Sequence, residues 1–126
     1  MIAADTSTWV AFGEGAAGRD CDLLHHNLGE MTIRMPPPVL AEIYSAPALR
    51  PWLAAILAGI AELEIQPGYW QRAGELRARV LRLGRKARLG DALIAQCCLD
   101  HDVPLITRDR DFRAFAAAAD LDLLLD

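Results

Sequence analysis

The sequence predicts an α/β fold: a central, mainly parallel sheet with helices on both of its faces. Three observations predict it. Short apolar runs, "MIAAD", "MTIRM", "PLIT" and "LDLLL", recur along the 126 residues, with helix-like segments between them. Tyr69, Ala73, Leu76, Val80, Leu83 and Ala87 step by four and three, which makes one apolar helix stripe. The segment from Ala92 to Leu99 is apolar nearly all round, the mark of a buried helix. Strands that alternate with helices imply a parallel sheet covered on both sides.

The elements follow in order. "MIAAD" predicts a short buried strand ending at Asp5, and Thr6 or Ser7 is placed to cap the next helix. A polar helix is expected over about 19–28, then a second strand in "MTIRM". Pro36 and Pro37 stop that strand, and Pro38 suits the first turn of a helix through Ala46. A further helix is expected from Pro47 to Ile60, then a short extended piece at "LEI", 63–65. The striped helix runs from Tyr69 to Ala87, weakened late by Gly84. Gly90 and Asp91 open the apolar helix, "DHDV" turns into the strand "PLIT", and Asp109 or Asp111 starts the helix that carries Phe112 and Phe115. "LDLLL" is the last strand. No linker, repeat or low-complexity tract divides the chain, so one domain over 1–126 is expected.

Composition narrows the function. Hydrophobic residues make up 53 % of the chain, enough for a proper core. No stretch reaches the ~18 apolar residues of a membrane span. The amino-terminus has an acid at position 5 and no basic segment, unlike a signal peptide. Three cysteines, Cys21, Cys97 and Cys98, give an odd count without C-x-x-C spacing, which argues against disulfides or a zinc site. A reducing cytoplasm is the expected location. The net charge of −4 argues mildly against a partner held by bulk electrostatics.

The placement of the charges says more. Asp5 and Asp109 each stand at the end of a short apolar strand, the edge where α/β folds bind ligands. Glu42 sits among apolar neighbours in "VLAEIYSA". Asp91 opens the most apolar helix, where the helix dipole favours a carboxylate. Carboxylates that crowd together raise one another's pKa unless a cation intervenes. Magnesium or manganese takes oxygen ligands and commonly bridges carboxylates to phosphate. Such an ion can hold a scissile phosphate and activate water with no need for a histidine or serine nucleophile. Setting Asp5, Glu42, Asp91 and Asp109 aside from the 17 acids leaves 13, equal to the 13 bases. Seven of those bases fall between Arg72 and Arg88, just before Asp91. A basic helix leading into an acidic site suits a phosphodiester backbone, with Arg79, Arg82 and Lys86 as the candidate contacts. Arginines on the wet face of an amphipathic helix are also ordinary.

The segments "MIAADTSTWV", "PPPVLAEIYSA" and "LGDALIAQCCLDHDVPLITRDRDF" resemble the three acidic motifs of PIN domains, most closely the VapC-type toxins of bacterial toxin–antitoxin pairs. The resemblance spans essentially the whole chain. Its most specific part is the last motif: an acid opening an apolar helix, a turn, a strand, then T-x-D-x-D-F. "QCCLDHD" departs from the small alanines and glycine-containing turn usual there. The resemblance implies a three-layer α/β/α sandwich and a Mg²⁺- or Mn²⁺-dependent endoribonuclease. It implies a tetrad of Asp5, Glu42, Asp91 and Asp109, with Asp111 as a fifth candidate ligand or a helix cap. Ser7 and Thr107 match hydroxyl positions beside the metal. It also implies a homodimer and a cognate antitoxin, for which the uncharged surface of Trp52, Leu53, Ile56 and Leu57 is one candidate if those residues are not core.

Two other functions are weighed against this one. A haloacid-dehalogenase-like phosphatase also uses an aspartate after its first strand, but it needs a second two residues later, where Ser7 stands. A PIN-like binding module without activity conflicts with a complete set of acids. His25 and His26 raise a metal-free ribonuclease, yet adjacent helical residues face different directions, so both are expected at the surface.

Overall fold

The computed structural model describes residues 1–125. Four strands, β1 (Ile2–Ala4), β2 (Ile33–Arg34), β3 (Leu105–Thr107) and β4 (Leu123–Leu125), form one sheet in the order β2-β1-β3-β4. Every strand pair among the described residues is parallel: Ile2 stands opposite Ile33, Ala3 opposite Leu105, and Leu105 opposite Leu123. Among the described residues, seven helices surround the sheet: α1 (Thr6–Gly13), α2 (Arg19–Gly29), α3 (Pro37–Tyr44), α4 (Pro51–Ala58), α5 (Tyr69–Arg82), α6 (Leu89–His101) and α7 (Phe112–Ala119).

Successive strand residues point to opposite faces. Ala3, Ala4, Leu105 and Ile106 all have no exposed surface, so both faces of the two central strands are covered. Helices α5, α6 and α7 pack on one another, α1 packs on α2, and α3 bridges α1 and α6. The chain leaves β1 toward β2 on one side and later returns to β3 on the other. That reversal makes the carboxyl ends of β1 and β3 the switch point, the usual ligand position of a parallel sheet.

Several boundaries differ from expectation for local reasons. The helix expected from Pro47 starts at Pro51, because Arg50 adopts the extended conformation that a residue before proline prefers. Helix α3 begins at Pro37, not Pro38, and ends at Tyr44, two residues before Ala46. Neither Thr6 nor Ser7 caps α1; Asp5 does, accepting the Thr8 N–H. No strand forms at 63–65; an isolated bridge between Met35 and Glu62 stands just before it. The striped helix ends at Arg82, because Gly84 takes φ +73° and turns the chain away. Arg85, Lys86 and Arg88 therefore lie off the helix, while Tyr69, Ala73, Leu76 and Val80 are buried as the stripe requires. No helix among the described residues is long and apolar enough to cross a membrane.

Candidate active site

Asp5 follows β1 directly and is 3 % exposed. Its Oδ1 accepts the Thr8 N–H at 3.1 Å, and the Ser7 hydroxyl reaches both carboxylate oxygens at 2.8 and 2.9 Å. The Thr107 hydroxyl, at the end of β3, donates to Oδ2 at 2.7 Å. Burial pushes the Asp5 pKa up, and the Thr107, Thr8 and Ser7 bonds offset part of that rise. Adjacent parallel strands thus join at their carboxyl ends through one carboxylate and one hydroxyl.

The network continues along the chain. Thr107 Oγ1 accepts the Asp109 N–H at 2.9 Å, and Asp109 Oδ1 accepts the Asp111 N–H at 2.9 Å. These turns hold Asp109 and Asp111 beyond the end of β3, close to Asp91 in the first turn of α6. One carboxylate oxygen from each of Asp91, Asp109 and Asp111 lies within 4.8 Å of the other two. Asp111 does not cap α7 with its side chain, because its Oδ2 lies 3.2 Å from Lys86 Nζ.

Asp91 is the least satisfied of the acids. Its Oδ2 is buried and has no hydrogen-bond partner. Burial pushes its pKa up to about 6, and the nearby Asp109 and Glu42 carboxylates add to the effect. The dipole at the α6 amino-terminus favours the charged form, but desolvation outweighs it.

Glu42 arrives from α3. It is exposed and accepts a hydrogen bond from the Thr6 hydroxyl. A Cβ at position 90 would stand 3.1 Å from Glu42 Oε2, so Gly90 leaves room for this carboxylate beside Asp91.

The four acids and Asp111 therefore gather around the carboxyl ends of β1 and β3. Arg79 and Arg82 do not join them: they line an open groove with Arg72, Glu75, Ala78 and Gln96. His25 and His26 are exposed on α2. Burial pushes the Cys97 thiol up to about 12 and Cys98 higher still, so neither is a thiolate at neutral pH.

Several participants were not found from sequence. Thr6, Thr8 and Gly90 carry no motif of their own. Arg108 and Asp20 were not singled out, yet they form a fork-to-fork pair: Arg108 Nε to Asp20 Oδ2 at 2.8 Å and Nη2 to Oδ1 at 2.9 Å. Their only local signal is the alternation of sign in "RDRD", which names no partner.

The donor set is all oxygen, anionic and partly desolvated, which fits a hard divalent cation. The orphaned Asp91 Oδ2 is the clearest sign, since a buried carboxylate oxygen without a donor calls for a positive partner.

The profile of the PIN domain matches residues 2–118, nearly the whole chain. The chain belongs to the PIN domain family. Among solved structures, it is similar to VapBC2 from Rickettsia felis bound to a DNA fragment from their promoter. That match has 21 % identity and a TM-score of 0.73, over 99 % of this chain and 98 % of the other. It is also similar to VapBC-5 from Mycobacterium tuberculosis, a member of the VapBC family of toxin–antitoxin systems. There the identity is 22 % and the TM-score 0.69, with coverage of 99 % and 98 %. No curated protein matches the chain.

Proposed function

We propose that this chain is a divalent-cation-dependent endoribonuclease, formed by a single PIN-like domain over 1–126, and the toxin of a type II toxin–antitoxin pair. The observation that carries the reading is the convergence of Asp91, Asp109 and Asp111, with the Asp91 oxygen unpartnered, at the switch point of a parallel sheet. Family membership and the VapBC folds support it. Asp5, Glu42, Asp91 and Asp109 would hold Mg²⁺ or Mn²⁺, with Asp111 divided between the ion and Lys86. A cation there would supply Lewis-acid charge to a scissile phosphate and lower the pKa of attacking water. Ser7 and Thr107 orient Asp5 and favour its ionised form by donating to it, against the burial that raises its pKa. Ser7 also stands where a haloacid-dehalogenase-like phosphatase needs its second acid.

The test is cleavage of a structured RNA. EDTA is expected to abolish cutting, and Mg²⁺ or Mn²⁺ to restore it. Attack in line with the 3′ oxygen leaves a 5′-phosphate and a 3′-hydroxyl, and it does not use the RNA 2′-hydroxyl. Full activity in EDTA, or a 2′,3′-cyclic phosphate product, would reject this chemistry and turn suspicion to His25, His26 and His101.

Arg79, Arg82 and Lys86 are proposed to hold the RNA backbone on its way to the acids. Replacing all three with neutral residues should weaken RNA binding and lower the slope of log affinity against log salt by roughly 0.7–0.9 for each phosphate no longer neutralised. An unchanged slope would leave these bases as ordinary surface charge.

The remaining proposals concern location and partners: a cytoplasmic homodimer silenced by a cognate antitoxin. Leu53 and Leu57 of α4 are core residues, which removes them from the antitoxin surface expected there. Trp52 is 45 % exposed and meets Phe12 edge-on, so it remains available to a partner helix.

A further inference from the structure

Asp20 is an unusual residue for a site built of carboxylates. It is 1 % exposed, yet it stands outside the acid cluster, in the first turn of α2. Its Oδ2 accepts the Thr8 hydroxyl at 3.0 Å as well as Arg108 Nε. Burial alone would raise its pKa, but the Arg108 fork and the Thr8 hydroxyl outweigh that and hold it ionised. Arg108 also donates to the Ala17 carbonyl at 3.1 Å and touches Cys21 Sγ at 3.4 Å, which locks the guanidinium against α2.

Both groups that Asp20 grips have a second attachment. The Thr8 backbone N–H donates to Asp5 Oδ1. Arg108 lies in the chain between Thr107, which donates to Asp5 Oδ2, and Asp109, whose N–H is held by Thr107. One carboxylate thus grips, from behind, the two backbone segments that present Asp5 and Asp109.

We propose that Asp20 and Arg108 are positioning residues for the acidic site: together they fix the first turn of α1 against the end of β3 and so set the separation of Asp5 and Asp109. The inference rests on the reading of those acids as cation ligands. Neither residue belongs to the acid cluster that would hold the ion. Partners that orient ligands typically change metal affinity 10–100-fold when altered.

The structure supplies its own control. Arg72 and Asp100 form a second forked pair, through Nε at 3.1 Å and through Nη2, joining α5 to α6 away from the acids. Breaking it should soften the fold without moving Asp5 or Asp109.

The experiment measures Mn²⁺ binding to the full chain by electron paramagnetic resonance titration, beside a thermal melt, for Asp20→Asn, Arg108→Lys and Asp100→Asn. Asp20→Asn should weaken Mn²⁺ binding at least tenfold. Arg108→Lys, which keeps the charge and loses the fork, is the milder variant should Asp20→Asn not fold, and it should weaken binding severalfold. Asp100→Asn should melt lower than wild type and bind Mn²⁺ within twofold of it. Wild-type affinity in a folded Asp20→Asn or Arg108→Lys overturns the positioning role alone. So does an equal loss in Asp100→Asn, which would make the effect general softening. A wild-type chain that binds no Mn²⁺ overturns the metal-site reading and this inference together.

Discussion

Asp91→Asn should cost cleavage at least two orders of magnitude and yet melt higher than the wild-type chain at pH 7.5 without metal. The carboxylate is buried, one oxygen has no partner, and Asp109 and Glu42 are close enough to repel it. Its pKa is about 6, above the ordinary 3.8. Between pH 3.8 and about 6 the folded chain therefore binds more protons at this position than the unfolded chain. Stability falls as pH rises through that window and stays low above it. The asparagine amide carries no charge and escapes the penalty. Partial access to solvent screens the effect, so about 1 kcal/mol is expected, or about 3–6 °C for a chain of this size. Well below pH 3.8 the acid is protonated in both states and the advantage should vanish. Added Mn²⁺ should raise the melting temperature of wild type but hardly that of Asp91→Asn, since only a ligand that binds the folded state stabilises it. Parallel melts at about pH 3 and pH 7.5, with and without Mn²⁺, check all of this. An Asp91→Asn chain that melts below wild type at pH 7.5 would give Asp91 a structural role instead.

The same balance of burial and charge explains what the sequence made legible. Asp5 and Asp109 stood out because an apolar strand leaves little reason for an acid at its end. The spacing of the striped helix was legible through Val80, because a stripe is a local pattern. It misled at Leu83, which is 60 % exposed, and at Ala87, which is buried from a loop, because Gly84 breaks the helix and the period carries on by chance. Glu42 came from the motif more than from its surroundings. What places it, the Thr6 hydroxyl and the bare Cα of Gly90, lies 36 residues before it and in another helix after it. Asp20 and Arg108 were invisible for the same reason. Their partnership spans 88 residues and becomes a contact only once β3 lies beside β1. Local patterns gave the elements and the acids. Ser7 and Thr107 were marked by the motifs, but Thr6, Thr8, Asp20 and Arg108 depend on contacts that no motif records.

Thr107→Val should damage both stability and cleavage, and Thr107→Ser should do much less. Valine nearly matches threonine in shape, so the change isolates the hydroxyl. That hydroxyl has no exposed surface and two partners: it donates to Asp5 Oδ2 and accepts the Asp109 N–H. Its removal leaves a buried oxygen and a neighbouring N–H each short of a bond, a cost of about 2 kcal/mol and a fall of about 6–12 °C in melting temperature. Cleavage should drop about 10–100-fold, because the hydroxyl orients one acid and the turn that presents another. The acid side of the pH–rate profile should also move. Losing a donor that favours ionised Asp5 raises its pKa further, so the valine variant should lose activity at a higher pH than wild type as the solution is acidified. Serine keeps the hydroxyl and gives up one methyl, about 1 kcal/mol. It should stay within a few-fold of wild-type cleavage with an unshifted profile. Equal losses in the two variants would assign the effect to packing of the methyl group. Wild-type cleavage by Thr107→Val would remove the link between Asp5 and Asp109 from the working of the site.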